Sequence, residues 1–218
     1  MKRSHATALT RAALTVAIGI TAGSVGAAGP RWDGTDRMEL TSTTFTNGSA
    51  LPASAVYNFY YPTGTTYNIC SATGATGGDR SPQLAWRHVP DDTRSFVVVA
   101  YDTTASFTHW AMYNIPADTR QLPANAGVAD SAYGTQLNND FGDPNYDGPC
   151  PPAGVAPDVH HYVFTVYALD MELTLGSPNF PANLETLYQA LIHAALEGHV
   201  LASAHLVALN SGSMLPAK

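Results

Sequence analysis

The sequence predicts a mainly β protein, an antiparallel β-sandwich with one helix near the C-terminus packed on it. Three observations carry that expectation. Glycine and proline are frequent, 18 and 15 in 218 residues, and they punctuate many short β-rich segments, as in a sandwich. Two segments, Ser95–Tyr101 and Tyr162–Leu169, are apolar or β-branched on both alternating faces. Such runs mark central strands buried on both sides. One stretch alone has helical spacing, with Leu184, Leu187, Tyr188, Leu191, Ile192 and Ala195 on a common stripe.

The chain opens with Lys2, Arg3 and Arg11, followed by the small, apolar run Ala12–Ala22 and the small-residue site Val25-Gly26-Ala27-Ala28. This is the layout of a signal peptide. The apolar run falls short of the ~20 residues that a membrane span needs. The reading is therefore a signal peptide over 1–28, cleaved near Ala27 or Ala28, and a single domain over 29–218 that is periplasmic or secreted. No later segment has the length to span a membrane, so the mature chain is not expected to be an integral membrane protein. Cleavage leaves 7 basic residues against 17 acidic. Phosphate neutralisation needs clustered Lys and Arg, so nucleic acid is excluded as a partner. The same charge opposes docking on anionic lipid, so any anion must be held by local donors.

Next comes a long irregular segment, 58–80, containing Phe59, Tyr60, Tyr61 and Tyr67. It reads as a packed loop burying its rings, with a mobile, glycine-rich part beyond Cys70. Two cysteines, Cys70 and Cys150, remain in an exported chain, and an even count in an oxidising compartment favours one disulfide. A reactive thiol is the weaker reading, because Cys150 between prolines has no helix N-terminus to lower its pKa.

The strand Ser95–Tyr101 ends at Asp102, and a small-residue loop leads to His109. Were the flanking strands paired as a hairpin, the carboxylate would lie near enough to orient an imidazole, and His109 is the expected partner. The proline-rich turn Gly148–Pro152 precedes the second buried strand, at whose mouth stand His160, His161 and Tyr162. Proline cannot supply a ladder N–H, so this turn is rigid and irregular. Near the C-terminus, Pro181 and Asn183 suit a helix start. His193 lies off the helical stripe and reads as solvated; His88, His199 and His205 read as structural or surface residues.

Six segments in order, SPQLAW (Ser81–Trp86), Val89–Asp102, His109–Thr119, NDFG (Asn139–Gly142), GPCPP (Gly148–Pro152) and HHYVFTVYALD (His160–Asp170), together resemble the phosphatidylethanolamine-binding protein family. The similarity is to its bacterial Raf-kinase-inhibitor-like, YbhB/YbcL-type branch, and it spans roughly Met38 to Leu209. Against that pattern, 58–80 looks like a loop insertion. The resemblance implies a β-sandwich with a small anion pocket and no established catalysis. It assigns the pocket acid to Asp102, the two histidines to His109 and His160, the tyrosine to Tyr162, and the wall to Pro149, Cys150, Pro151 and Pro152, in the turn that Gly148 opens. Thr103, Thr104 and Ser106 depart from the family's D-P-D-A-P loop, and His161 stands where arginine is usual. These changes bear on the pocket's shape and ligand preference.

The physical reading of such a pocket is recognition. Two imidazoles supply charge-assisted donors, Asp102 fixes one of them and raises its pKa, Tyr162 offers its O–H, and N–H groups around Gly148 and Cys150 complete an anion nest. The leading expectation is an exported, non-catalytic protein that binds phosphate or a phosphorylated headgroup such as phosphoethanolamine, without a cofactor. The sequence holds no G-x-S-x-G, Walker or H-E-x-x-H motif. Two alternatives stand beside it. One is a periplasmic inhibitor or regulator of a partner protein, kinase- or protease-inhibitor-like. The other is a metal-dependent hydrolase using Asp102, His109, His160 and His161.

Overall fold

The computed structural model describes residues 37–61, 63–177 and 181–213. The predicted signal peptide lies outside the described residues.

In chain order the elements are β1 (Glu39–Thr41), a short 3-10 turn (Ala53–Ala55), β2 (Leu84–Arg87), β3 (Ser95–Asp102), β4 (Phe107–Pro116), β5 (Gln121–Leu122), β6 (Thr135–Gln136), β7 (His160–Leu169), α1 (Leu184–Glu197) and β8 (Val200–Asn210). They form two antiparallel sheets, ordered β1-β2-β5 and β6-β4-β3-β7-β8.

Strand β3 is the centre of the larger sheet, and its alternating side chains divide between two cores. Phe96, Val98 and Ala100 face the smaller sheet and pack with Leu40, Leu84, Trp86 and Leu122. Val97 and Val99 face the other way and pack with Leu187, Leu191 and Ala194 of α1. Both faces of the strand are dry, which is why its sequence carries no polar alternation. The predicted sandwich with a covering helix is the fold observed.

Helix α1 begins where expected. The Asn183 side chain accepts from the Thr186 N–H at 2.9 Å, and the Thr186 hydroxyl reciprocates at the Asn183 N–H. This is a capping box that satisfies two otherwise orphaned donors. Gly198 closes the helix at φ 85°, a left-handed conformation that costs glycine little. The buried stripe is narrower than its spacing predicts. Leu187, Leu191 and Ala194 are buried, whereas Ile192 is 43% exposed. A helix lying on a sheet buries the central line of its side chains, and Ile192 is turned about 100° from Leu191.

The 58–80 segment departs from expectation in two ways. Its rings are not buried: Phe59 and Tyr61 are about half exposed, at 51% and 52%. The loop's interior is polar instead. Asn68, fully buried, accepts from the N–H groups of Phe59 and Cys70 and donates to the Tyr57 carbonyl. Side-chain amides that replace a backbone ladder leave no apolar chamber for rings. Nor is the glycine-rich part loose. Asn58 and Gly77 exchange two hydrogen bonds of 2.6 and 2.7 Å, and the N–H groups of Gly78, Asp79 and Arg80 reach Ala53, Val56 and Ser54. A disulfide joins Cys70 to Cys150, as predicted, and so ties this loop to the proline-rich turn.

Candidate functional site

At one end of the larger sheet, β3, β4 and β7 bring Asp102, His109, His160 and Tyr162 around a cavity of about 200 Å³. Ala105, Phe107, Phe141, Cys150, Pro151 and Pro152 complete its lining. Register explains the grouping. Asp102 pairs with Tyr162 across β3 and β7, and His160, two residues from Tyr162, occupies the same face. His161 falls on the opposite face and is exposed, with its ring Nδ1 3.5 Å from the Thr104 hydroxyl. The four ligands of the metal reading therefore do not converge.

His109 reaches this face through a β-bulge. Ala100 pairs with Trp110 and Tyr101 with Thr108, so His109 is the extra residue on β4. A bulge turns two successive side chains to one side of the sheet, and here His109 and Trp110 are both buried on the sandwich side. The bulge is held by Asp147, whose N–H donates to the His109 carbonyl at 3.1 Å. In return, His109 Nδ1–H donates to the Asp147 carbonyl at 2.8 Å.

Asp147 is in turn placed by Asn139. The Asn139 amide donates to Asp147 Oδ2 at 2.5 Å, and its carbonyl accepts from the N–H groups of Phe141, Gly142 and Asp143. One side chain thereby orders both the residue that anchors His109 and the ring of Phe141 on the cavity wall.

The orienting role of Asp102 falls on His160 rather than on His109. His160 Nδ1 lies 2.6 Å from Asp102 Oδ2, while Asp102 Oδ1 accepts from the N–H groups of Thr104 and Ala105 at 2.8 and 3.1 Å. The residue two places beyond a cross-strand partner lies on the same face and within reach, whereas His109 is carried away by the bulge to a carbonyl. Asp102 is 2% exposed, and three donors cover its charge. A carboxylate so satisfied repels a nearby anion far less than a bare one.

Electrostatics separate the two imidazoles further. Burial lowers the His109 pKa below its ordinary value, outweighing the opposing pull of the Asp147 carbonyl and the Asp102 charge. The expectation that its imidazole is held cationic near neutral pH is thus reversed for His109. The Tyr162 hydroxyl is pushed up strongly, first by burial and then by the Asp102 carboxylate, so it stays a protonated donor.

Gly148 and Pro149 do not line the cavity. The Gly148 N–H donates to Asp79 Oδ1 at 2.7 Å, and the Pro149 carbonyl accepts from the Tyr57 N–H at 3.3 Å. A Cβ on Gly148 would lie 2.4 Å from the Ala55 carbonyl oxygen, so glycine is required for that close approach. These two residues join the insertion to the turn and leave the wall to Cys150, Pro151 and Pro152. Beside them Asp79 and Asp147 form a carboxyl pair. The Asp79 pKa is pushed up to about 6, chiefly by burial, with the Gly148 N–H opposing and Asp147 adding.

Sequence reasoning did not give Asp147, Asn139, Phe107 or Phe141 a role. The NDFG segment was the available signal for Asn139 and Phe141. Nothing marked Asp147, which acts through its backbone carbonyl, a group every residue has.

The chain belongs to the phosphatidylethanolamine-binding protein family, whose model matches residues 41–211. Within that class it is similar to the UPF0098 protein YbhB of Escherichia coli (strain K12), at 40% identity over 142 residues, 62% of this chain and 80% of that protein. It also resembles a UPF0098 protein of Aquifex aeolicus (strain VF5), at 34% identity over 176 residues, 79% of this chain and 87% of that one. Among solved structures, the crystal structure of E. coli YbcL, described as a new member of the mammalian PEBP family, superposes with a TM-score of 0.61 and 31% identity. The match covers 80% of this chain and 98% of that one.

Proposed function

We propose that this chain is an exported binding protein whose cavity holds phosphate or a phosphorylated headgroup such as phosphoethanolamine, and that it does so without making or breaking covalent bonds. The observation that carries the reading is the Asp102–His160 pair. A buried carboxylate fixes one imidazole nitrogen and leaves the other open to a small cavity, the arrangement of a charge-assisted oxyanion donor. The family supports a binding role, and the cavity suits a small ligand. The chemistry of the lining supports recognition over catalysis. Its members are imidazole, phenol, carboxylate, disulfide sulfur and apolar groups, without a serine or threonine hydroxyl or a free thiol. Export rests on the N-terminal sequence and on the disulfide, which belongs to an oxidising compartment. Among the described residues no helix is long and apolar enough to cross a membrane.

Calorimetric titration with phosphate and phosphoethanolamine tests this. Loss of a hydrogen bond to a charged group costs about 1.5–3 kcal/mol, so His160→Ala should weaken binding about tenfold or more. His193→Ala, on the exposed side of α1, should leave it unchanged. Equal affinity in wild type and His160→Ala would overturn the site, as would His160-dependent turnover of phosphoesters by the purified protein.

A further inference from the structure

We propose that Cys150 is a thiol-exchange site: a small thiolate entering the cavity attacks its sulfur, opens the disulfide to Cys70 and leaves a mixed disulfide on the pocket wall. The exchange needs the cavity and the disulfide but no bound anion, so it stands or falls apart from the oxyanion reading.

Position separates the two halves of the disulfide. Cys150 is partly exposed and belongs to the cavity lining. Cys70 is 0% exposed and does not. Exchange proceeds by thiolate attack on one sulfur of a disulfide, and access decides which sulfur is attacked. From the cavity that sulfur is the one on Cys150, and Cys70 is the leaving group.

The surroundings of Cys70 close the other approach. Its N–H donates to the side chain of Asn68, itself fully buried, at 3.2 Å. The neighbouring Ile69 donates its N–H to the Phe59 carbonyl at 3.0 Å, and its own carbonyl accepts from the Ser213 N–H at 2.9 Å. Attack on Cys70 would require this hydrogen-bonded loop to open first.

The exchange balances with the thiol as sole co-reactant. R–S⁻ forms a bond to Cys150 Sγ, the Cys70–Cys150 bond breaks, and its electron pair leaves on Cys70 Sγ as a thiolate, which takes a proton from water. The entering thiol is oxidised to the mixed disulfide as Cys70 is reduced. The R–S group then stands in the cavity, and the 58–80 loop loses its covalent tie to the turn. Two other ties remain: the Gly148 N–H on Asp79 Oδ1 at 2.7 Å and the Tyr57 N–H on the Pro149 carbonyl at 3.3 Å. They hold Cys70 beside Cys150, and a thiolate released into a buried site is disfavoured. Return attack by Cys70 therefore restores the original bond once the thiol is withdrawn.

Size selects the thiol. The cavity holds about 200 Å³, and the Phe141 ring, 45% exposed, stands in its wall. A two-carbon thiol fits such a space. A thiol in the middle of a peptide carries a residue on either side of its sulfur and meets that ring.

The test compares two uncharged thiols, 2-mercaptoethanol and an end-blocked Gly-Cys-Gly tripeptide, on the full disulfide-bonded protein without denaturant. Early samples are quenched in acid, unfolded, alkylated at free thiols and mapped by mass spectrometry. Each rate is divided by that of the same thiol on a linear peptide disulfide, which removes differences in thiolate fraction and nucleophilicity. The 2-mercaptoethanol adduct should sit on Cys150 and the alkyl group on Cys70, with the reverse pattern about tenfold rarer or less. The normalised rate of 2-mercaptoethanol should exceed that of the tripeptide by about tenfold or more, and Phe141→Ala should shrink that gap to within about threefold. Adducts on Cys70 or shared evenly between the two cysteines would overturn the proposal, as would equal normalised rates in the wild type or no exchange with 2-mercaptoethanol. A gap unchanged in Phe141→Ala would overturn the assignment of that ring as the filter.

Discussion

Replacing Asp79 by Asn should stabilise the protein at pH 8 and leave it unchanged near pH 4. Asp79 stands on the insertion at φ 48° and accepts the Gly148 N–H at 2.7 Å, and the Asp147 charge bears on its carboxyl. Burial raises its pKa from 3.8 to about 6 and also raises that of Asp147, and the Asp147 charge adds to the shift at Asp79. The sign follows from linkage. A carboxyl whose folded pKa lies above its unfolded value contributes stability that is fully present below about pH 4 and is lost as pH rises through about 6. At about 1.4 kcal/mol per unit the loss tops out near 3 kcal/mol, and partial exposure of Asp79 reduces it to roughly 1–2 kcal/mol. Asparagine keeps an oxygen for Gly148, gains an N–H for Asp147, tolerates positive φ, and carries no charge to bury. Urea denaturation at both pH values reads the effect as a shift in midpoint at constant slope. An Asp79→Asn variant less stable than wild type at pH 8 would refute the reading that burial of the Asp79 charge costs stability. It would show instead that an ionised Asp79 favours the folded state through the Gly148 N–H.

Three further outcomes are expected. Asp102→Ala should weaken phosphate binding by about 1.5–3 kcal/mol although it removes a negative charge beside the anion, because it frees the ring of His160 and strands two loop N–H groups; tighter binding by calorimetry would show that repulsion dominates. Peptide mapping without reductant should recover Cys70 and Cys150 as one linked pair, and Cys70→Ser with Cys150→Ser should lower stability by up to about 4 kcal/mol in urea; finding both thiols free would contradict the pairing. Asn183→Ala should cost about 1 kcal/mol through loss of the capping box, and an unchanged urea midpoint would mean that packing alone holds α1 in place.

The legibility of this molecule in its sequence divides along physical lines. Strand β3 was readable because both of its faces meet apolar cores, so no polar residue interrupts it. The start of α1 was readable from Asn183, since capping is local chemistry. The structure places Asp102, His109, His160 and Tyr162 around one cavity. The partner of Asp102 was not readable. That assignment depends on cross-strand register and on a bulge, and a bulge adds one residue that no alternation pattern reveals. Gly148 appeared to be a donor in an anion nest, yet its N–H is taken by Asp79, which lies 69 residues away in sequence. The exposed rings of the insertion misled for a related reason. Asn58 and Asn68 fill the loop's interior, and nothing in their spacing distinguishes an amide that replaces a backbone ladder from one in solvent.

The central claim is that one small oxyanion sits between the open nitrogens of His109 and His160. A crystal structure of the protein soaked in phosphoethanolamine at pH 6 tests it most directly. The account predicts phosphate density in the cavity bounded by Phe141 and Pro151. One phosphate oxygen should lie about 2.7–2.9 Å from His160 Nε2 and a second at hydrogen-bond distance from His109 Nε2. Phosphate bound elsewhere on the chain, or contacting neither imidazole, would contradict it.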